Sequence, residues 1–239
     1  MMVVIMAYQR VLIKLSGEML GRDGILFDHG MIDRVAGVLV SAAGRGLAVG
    51  VVIGAGNIWR GRQGTGMDAV TADHMGMLGT VINCLYMRDA VERAGGKVKL
   101  FSAFEIEHIA ESYAPHAAAQ MMTPGQILLL AGGTGNPFFS TDTGVVLRAV
   151  ELNADVLLMA KNIDGVYSAD PKTDPTAELI RRISYSEAIR RNLRVMDQAA
   201  FCICRDQRLS EVRVFKLDEP ENILKVLDGD DRGTTLYPD

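Results

Sequence analysis

Short runs of apolar, often β-branched residues alternate with longer amphipathic segments along this chain, and this alternation limits the fold more than any other feature. Six runs have the length and composition of strands: 11–15, 47–53, 98–101, 127–131, 156–160 and 212–217. The segments between them are typical of crossover helices that cover a mostly parallel sheet. The pattern therefore predicts an α/β fold with a mostly parallel central sheet.

Two of the intervening segments have a clear helical period. Asp28 is predicted to cap the first helix, and Gly44 and Gly46 are predicted to end it. The apolar residues of this helix fall on one face: Met31, Ile32, Val35, Val38 and Leu39. A second such stripe consists of Met77, Leu78, Val81, Ile82, Leu85 and Tyr86.

Length and composition favour one soluble domain. No repeat, linker or low-complexity tract divides the 239 residues, so we predict a single domain over residues 1–239, with residues 1–7 disordered. A formal net charge of −4 argues against a surface that coats nucleic acid, which needs a basic stripe. No apolar stretch reaches the length of a membrane span, and three cysteines without a zinc-ligand pattern fit a reducing cytoplasm.

Three glycine-rich turns follow predicted strands: KLSGE at 14–18, GAGN at 54–57 and GGTGNPFFSTDT at 132–143. One such turn alone is a common way to leave a strand. Three are more informative, because the carboxyl ends of parallel strands open into one crevice. Backbone N–H groups in glycine-rich turns bind phosphates, so we expect phosphoryl-transfer chemistry at this edge of the sheet.

Cationic side chains lie beside the first two turns. Lys14 ends a strand directly before the first turn, and it is the candidate for stabilising negative charge in the transition state. Arg60 and Arg62 follow GAGN, where a guanidinium group could bind phosphate oxygens in a forked geometry. We expect one of the two arginines to face solvent.

The third turn is too rich in glycine and hydroxyl groups to be a buried strand. Thr134, Asn136, Thr141 and Thr143 supply polar groups that suit a phosphate or a base. Asp142, at the start of the next predicted helix, is as consistent with a residue that caps the helix or complements its dipole as with a catalytic residue. Asp155, which opens a strand, has the same two interpretations.

Several well-known motifs are missing from the sequence. It has no GxxxxGK[ST] P-loop, no GxGxxG with a downstream acidic residue, no protein-kinase HRD and DFG set and no GxSxG elbow. The four histidines share no spacing with carboxylates or cysteines that would indicate a metal site. The least regular stretch is 162–176, where two Asp-Pro steps are expected to prevent a regular element.

The order and spacing of six segments resemble the bacterial uridylate kinases of the amino-acid kinase family: KLSGE, IGAGNIWRG, DHMGMLGTVIN, GGTGNPFF with TD, DGVYSADP and VMDQAAF. DHMGM and TGNPFF are the most specific, and they separate these enzymes from acetylglutamate, aspartate and carbamate kinases. The resemblance implies a three-layer αβα sandwich. It also implies transfer of the ATP γ-phosphoryl group to UMP, giving UDP for pyrimidine nucleotide synthesis.

The resemblance further implies which residues bind each substrate. ATP would be bound by Lys14, Leu15, Ser16, Gly17, Gly56, Arg60, Asn162, Tyr167 and Asp170. UMP would be bound by Ala55, Asp73, Thr134, Gly135, Asn136, Pro137, Phe138, Phe139, Ser140 and Thr141. Relatives usually have glycine at the position of Ala55, and a methyl group takes room there.

The catalytic candidates are Lys14, Arg60, Asp142 and Asp197. The two aspartates would orient a lysine or a magnesium-bound water. A nucleotide phosphate is already anionic, so transfer needs positioning and charge stabilisation rather than a strong general base. Mg²⁺ is expected with ATP, and no protein ligand is assigned because this ion often binds chiefly through phosphates. The resemblance also implies a homohexamer activated by GTP and inhibited by UTP.

Other functions stay open at this point. A kinase of the same fold that acts on a carboxylate or carbamate would share the glycine turns, although DHMGM and TGNPFF speak against it. A nucleotide-sensing module without turnover is disfavoured by the joint presence of Lys14, Arg60 and Asp142. The methionine-rich stretch 75–87 could bind a partner, but we expect it in the core or at a hexamer interface.

Overall fold

The computed structural model describes residues 8–21, 24–59, 66–169, 171 and 173–239 of the chain. Its strands are β1 (Arg10–Leu15), β2 (Ala48–Ile53), β3 (Lys97–Ser102), β4 (Glu111–Ser112), β5 (Gln126–Ala131), β6 (Val156–Lys161), β7 (Val166–Tyr167), β8 (Leu179–Ile180), β9 (Arg182–Ser184), β10 (Val212–Lys216) and β11 (Thr234–Tyr237). Its helices are α1 (His29–Gly44), α2 (Ala69–Arg93), α3 (Pro115–Met121), α4 (Thr141–Glu151), α5 (Tyr185–Arg190), α6 (Gln198–Asp206) and α7 (Asn222–Leu227). The six predicted strands are all present, with each end within one residue of the prediction.

A nine-stranded sheet forms the middle layer, in the order β4-β3-β5-β2-β1-β6-β10-β11-β9. β1 lies at its centre and pairs in parallel with β2 and β6. β10 and β11 pair antiparallel, and the other neighbouring strands of this sheet pair in parallel. The prediction of a mostly parallel central sheet is therefore confirmed.

Helices cover both faces of the sheet and form two separate cores. Ile13 and Leu15 of β1 belong to the core shared with α1, α2 and α7, whereas Leu12 belongs to the core shared with α3, α4, α5 and α6. Side chains alternate along a strand, so Lys14 points to the same face as Leu12, which is the face of α4. The three-layer αβα sandwich is confirmed, and it sets the strand-end lysine against the start of α4.

The first predicted helix has the expected ends. Asp28 caps α1, since its side chain accepts a hydrogen bond from Met31 N at 3.0 Å. The helix ends at Gly44, and Gly46 follows with a φ of +91°. Glycine adopts this left-handed conformation without the clash that a Cβ would cause.

The second predicted helix is present as α2, but its apolar stripe is only partly buried. Val81 of α2 is buried, whereas Leu78 and Ile82 are 49% and 47% exposed. The face that packs inwards includes small residues such as Gly79 and Cys84. The apolar period therefore located the helix, while close packing of small residues decided its orientation.

The segment 162–176 contains more regular structure than its Asp-Pro steps predicted. Val166 and Tyr167 form β7, which pairs antiparallel with β8 in a separate two-stranded sheet. The expectation of no regular element was wrong for these two residues. Residues 1–7, for which we predicted disorder, lie outside the described residues. Within the described part of the chain, no helix is long and apolar enough to cross a membrane.

Candidate active site

The three glycine-rich turns meet at the carboxyl edge of the sheet. A Cβ added to Gly17 would lie 2.2 Å from Gly54 O and 2.7 Å from Gly56 N, so the first two turns touch. They face the third turn across a cleft of about 590 Å³. The predicted site residues that line this cleft are Lys14, Ser16, Gly17, Ala55, Gly56, Asp73, Thr134, Asn136, Phe139, Ser140 and Thr141. The structure thus brings most of the candidates together.

A mostly buried charge cluster lies at one end of the cleft. Asp142 Oδ1 lies 3.2 Å from Lys14 Nζ, and Asp142 Oδ2 accepts a hydrogen bond from Lys161 Nζ at 2.7 Å. The three side chains are 12%, 15% and 15% exposed. One carboxylate thus holds two ammonium groups, and ammonium groups held in fixed positions suit a phosphoryl group.

The surroundings of this cluster shift the pKa values of two of its members. Burial opposes ionisation of Asp142, but the charges of Lys14 and Lys161 and their hydrogen bonds outweigh it, and the carboxyl pKa lies below its ordinary value. Burial lowers the pKa of Lys161, and the nearby charge of Lys14 lowers it further. The Asp142 carboxylate raises it, but the pKa still lies below its ordinary value. Asp142 is therefore ionised at neutral pH.

The structure excludes Asp142 as the cap of α4 and shows what Asp142 and Asp155 contact. Ser140, not Asp142, caps α4, because its hydroxyl accepts hydrogen bonds from Asp142 N and Thr143 N. Asp142 instead pairs with the lysines. Asp155 Oδ2 accepts hydrogen bonds from Gln9 N at 2.7 Å and Arg10 N at 2.8 Å, so it fixes the start of β1 at the far end from the cleft.

Lys161 was not predicted as a charge-bearing residue of the site. It ends β6, the strand next to β1, just as Lys14 comes near the end of β1. Its Nζ also donates a hydrogen bond to Val195 O. The available signal was that both lysines come at the end of an apolar strand, but only the pairing of β1 with β6 brings them to one carboxylate.

Asp197 connects the starts of two helices. It caps α6 by accepting a hydrogen bond from Ala200 N at 2.8 Å. It also accepts hydrogen bonds from Ser140 Oγ and from Thr143 Oγ1, the latter at 2.8 Å. These contacts hold the first turn of α4, on which Asp142 lies. The role predicted for Asp197, to orient a lysine or a magnesium-bound water, stays a prediction.

The opposite wall of the cleft consists of α2 and the loop 132–140. Asp73 Oδ2 accepts a hydrogen bond from Phe138 N at 2.6 Å, which ties this loop to the helix. Phe138 itself has a φ of +69° and is 73% exposed. Thr80 Oγ1 accepts a hydrogen bond from Gly132 N at 2.8 Å at the base of the loop. In both contacts, a side chain of α2 accepts a hydrogen bond from a backbone N–H group of the loop.

A buried arginine supports the same loop from behind and was also not predicted. Arg148 Nη2 donates to Gly133 O at 3.0 Å, and its Nη1 donates to Glu151 Oε2 at 2.6 Å. The guanidinium group lies 3.9 Å from the centre of the Tyr113 ring, within the range of a cation–π contact. Nothing in the sequence near Arg148 marks this contact with the loop.

Comparison with known proteins assigns this chain to a family. The model of the amino acid kinase family matches residues 9–216. This chain belongs to the amino acid kinase family. The resemblance to bacterial uridylate kinases inferred from the sequence segments is also confirmed, by the solved structures of such enzymes that match over nearly the whole chain.

Three solved structures are similar to this chain. UMP kinase from Bacillus anthracis is 37% identical with a TM-score of 0.91, and the match covers 96% of each chain. UMP kinase from Ureaplasma parvum is 32% identical with a TM-score of 0.89, covering 96% of this chain and 98% of that one. Uridylate kinase from Archaeoglobus fulgidus is 25% identical with a TM-score of 0.71, covering 95% and 99%.

Some residues expected at the family's substrate sites do not line the cleft. Leu15 is fully buried, so its side chain belongs to the core and only its backbone could contact ATP. Gly135, Pro137 and Phe138 belong to the loop but not to the lining of the cleft. Their predicted contacts with UMP stay predictions.

Fewer of the predicted ATP-binding residues line a cavity or lie within the described part of the chain. A second cavity of about 420 Å³ adjoins the charge cluster and shares Ser140 with the cleft. Asn162 and Tyr167 line neither of these two cavities, and the Tyr167 hydroxyl donates to Asp164 Oδ2 at 3.2 Å. Arg60, Arg62 and Asp170 lie outside the described residues.

Proposed function

We propose that this chain transfers the γ-phosphoryl group of ATP to UMP and forms UDP. The observation that carries this proposal is the contact of Asp142 with both Lys14 and Lys161 at one end of a cleft lined by three glycine-rich turns. That arrangement suits phosphoryl transfer, which depends on fixed cations and N–H groups. UMP as the acceptor is supported by UMP kinases 37% and 32% identical to this chain.

The mechanism proposed here is positioning with charge stabilisation. Lys14 and Lys161 would lie beside the transferred phosphoryl group, and Asp142 would keep both ammonium groups in place. N–H groups of the turns at Ser16 and Gly17 would bind phosphate oxygens of ATP. UMP already carries an anionic phosphate oxygen, so no side chain is needed to remove a proton from the acceptor.

The two substrates would enter from different sides. ATP would occupy the side of the first turn and the charge cluster, and UMP would occupy the side of Asp73 and the loop 132–140. Mg²⁺ would accompany ATP. Both oxygens of Asp142 already face a lysine nitrogen, so the residues present fit an ion held mainly by phosphates and water.

Further properties are proposed on the resemblance alone. These are a role in pyrimidine nucleotide biosynthesis, a homohexamer, activation by GTP, inhibition by UTP and a cytoplasmic location. They are open to size measurement and to kinetics with added GTP or UTP.

The first experiment measures ADP release by the purified protein with MgATP and a panel of acceptors: UMP, CMP, AMP, acetylglutamate, aspartate and carbamate. Strong selectivity for UMP is expected. Turnover with a carboxylate or carbamate would refute UMP as acceptor while keeping the ATP side. ATP binding without turnover of any acceptor would instead indicate a nucleotide-sensing protein.

A further inference from the structure

Helix α2 packs against the turn after β2 through a very close contact between Ala55 and Gly79. A Cβ added to Gly79 would lie 2.9 Å from the Ala55 Cβ and 3.7 Å from the Ile58 Cβ. Carbon atoms of side chains do not approach each other within 3 Å without displacement. Ala55 is only 8% exposed, so its methyl group has little solvent to move into. The contact has room for one methyl group but not for two.

Hydrogen bonds on both sides of this contact fix the distance between helix and turn. Trp59 Nε1 donates to Ala72 O at 2.9 Å in the first turn of α2. Asn83 Nδ2 donates to Gly54 O at 2.7 Å, one helical turn beyond Gly79. Moving α2 away from the turn would lengthen at least one of these bonds beyond its favourable range. The helix therefore cannot make room for an extra methyl group by moving away as a rigid body without weakening these hydrogen bonds.

The contact lies between the two halves of the cleft. On one side, α2 carries Asp73 and Thr80 into the cleft wall. On the other side, the same turn touches the first phosphate-binding turn, since a Cβ at Gly17 would lie 2.2 Å from Gly54 O. A change in the distance between Ala55 and Gly79 would therefore change the position of the α2 wall relative to the first turn.

We propose that Gly79 is a positioning residue for phosphoryl transfer. By leaving room for the Ala55 methyl group, it sets the distance between the acceptor-binding wall of α2 and the phosphate-binding turns. Positions 55 and 79 act as a pair that holds a single methyl group. This inference rests on the proposed function, because it takes UMP as the acceptor bound at the α2 wall.

A double-mutant cycle tests the pair. The wild type, Gly79→Ala, Ala55→Gly and the double variant are compared in steady-state kinetics with MgATP and UMP, and in thermal unfolding. Gly79→Ala is expected to lower Tm and to raise the KM for UMP about tenfold, with about twofold or less change in the KM for ATP. In the double variant, the methyl group moves from the turn to the helix. Both Tm and the KM for UMP are therefore expected to return most of the way to their wild-type values.

Gly37→Ala in α1 is the matched control. It makes the same change inside a helix, but a Cβ at Gly37 would meet nothing within 4 Å, so neither Tm nor KM should worsen. An unchanged KM for UMP in Gly79→Ala, whatever its Tm, or losses in the double variant that equal the sum of the single ones, would overturn the proposal. A wild type without UMP turnover would refute the proposed function instead, and coupling between the two positions in Tm would still decide whether they form a pair.

Discussion

The two sides of the cleft are stabilised in different ways. On the side of β1 and β6, Lys14, Asp142 and Lys161 are mostly buried and contact one another directly. On the side of α2, backbone N–H groups of the loop 132–140 donate hydrogen bonds to Asp73 and Thr80, and Arg148 donates one to a loop carbonyl. Phe138 in this loop is exposed. A buried charge that loses its partner is costly, whereas an exposed loop can shift at small cost.

This difference suggests a division of roles. The charge cluster has fixed positions before substrate arrives, which is the arrangement that stabilises developing charge most effectively. The loop wall has few side-chain contacts of its own and would be completed by the acceptor. Substitutions in the cluster should therefore lower kcat, while substitutions in the wall should raise the KM for UMP.

The largest effect is expected for Lys14→Ala. Loss of the ammonium group beside the transferred phosphoryl should lower kcat by about 10³-fold while the fold stays intact, as measured by ADP release and circular dichroism. Lys99→Ala is the control, because it removes the same charge from an exposed ion pair with Glu111. A substantial residual rate in Lys14→Ala would remove this residue from the charge-stabilising role.

Asp142→Asn should have the next largest effect. It leaves Lys14 and Lys161 close together without a carboxylate, so we expect kcat to fall about 10²-fold and the free energy of unfolding to fall by about 3 kcal/mol. Denaturant unfolding and steady-state kinetics measure the two losses. A variant as stable as the wild type would show that the carboxylate does not stabilise the cluster.

The same variant gives a pH dependence of known sign. The pKa of Asp142 in the folded protein lies below its ordinary value of 3.8, so its ionised form stabilises the fold at pH values above 3.8. That contribution is lost as the pH falls through the lowered pKa. The difference in unfolding free energy between wild type and Asp142→Asn should have its full value at about pH 7 and should shrink below pH 3.8. A difference independent of pH would contradict this assignment.

Asp73→Asn tests the opposite wall. The carboxylate that accepts the hydrogen bond from Phe138 N becomes a neutral amide, so the KM for UMP should rise about tenfold and the KM for ATP should change less. Asp89→Asn makes the same change on an exposed part of α2 and serves as the control. A defect confined to ATP would reverse the assignment of the two sides.

The smallest effect is expected for Thr134→Val. The Thr134 hydroxyl donates to Asn136 O at 3.1 Å and accepts from Asn136 N at 3.2 Å, both within an exposed part of the loop. Removing it should raise the KM for UMP by about threefold and leave kcat within about twofold. If kcat fell as far as in Asp142→Asn, the division between the two sides would be wrong.

Much of the fold was readable from local sequence. Strand positions followed from short apolar runs, and the start of α1 followed from Asp28, because these signals depend on residues close together in the chain. Lys14 and the three turns were found in the same way. Lys161 and Arg148 were not, since their partners come from distant segments.

The sequence by itself determined the α/β class, the strand positions, the glycine-rich turns and the resemblance to a kinase family. Only the tertiary structure decided that Asp142 holds two lysines and that Leu78 and Ile82 face outwards. The physical reason is the same in each case. Hydrophobic period and turn chemistry act over a few residues, whereas these contacts depend on β6 pairing with β1 and on how closely α2 can approach its neighbours.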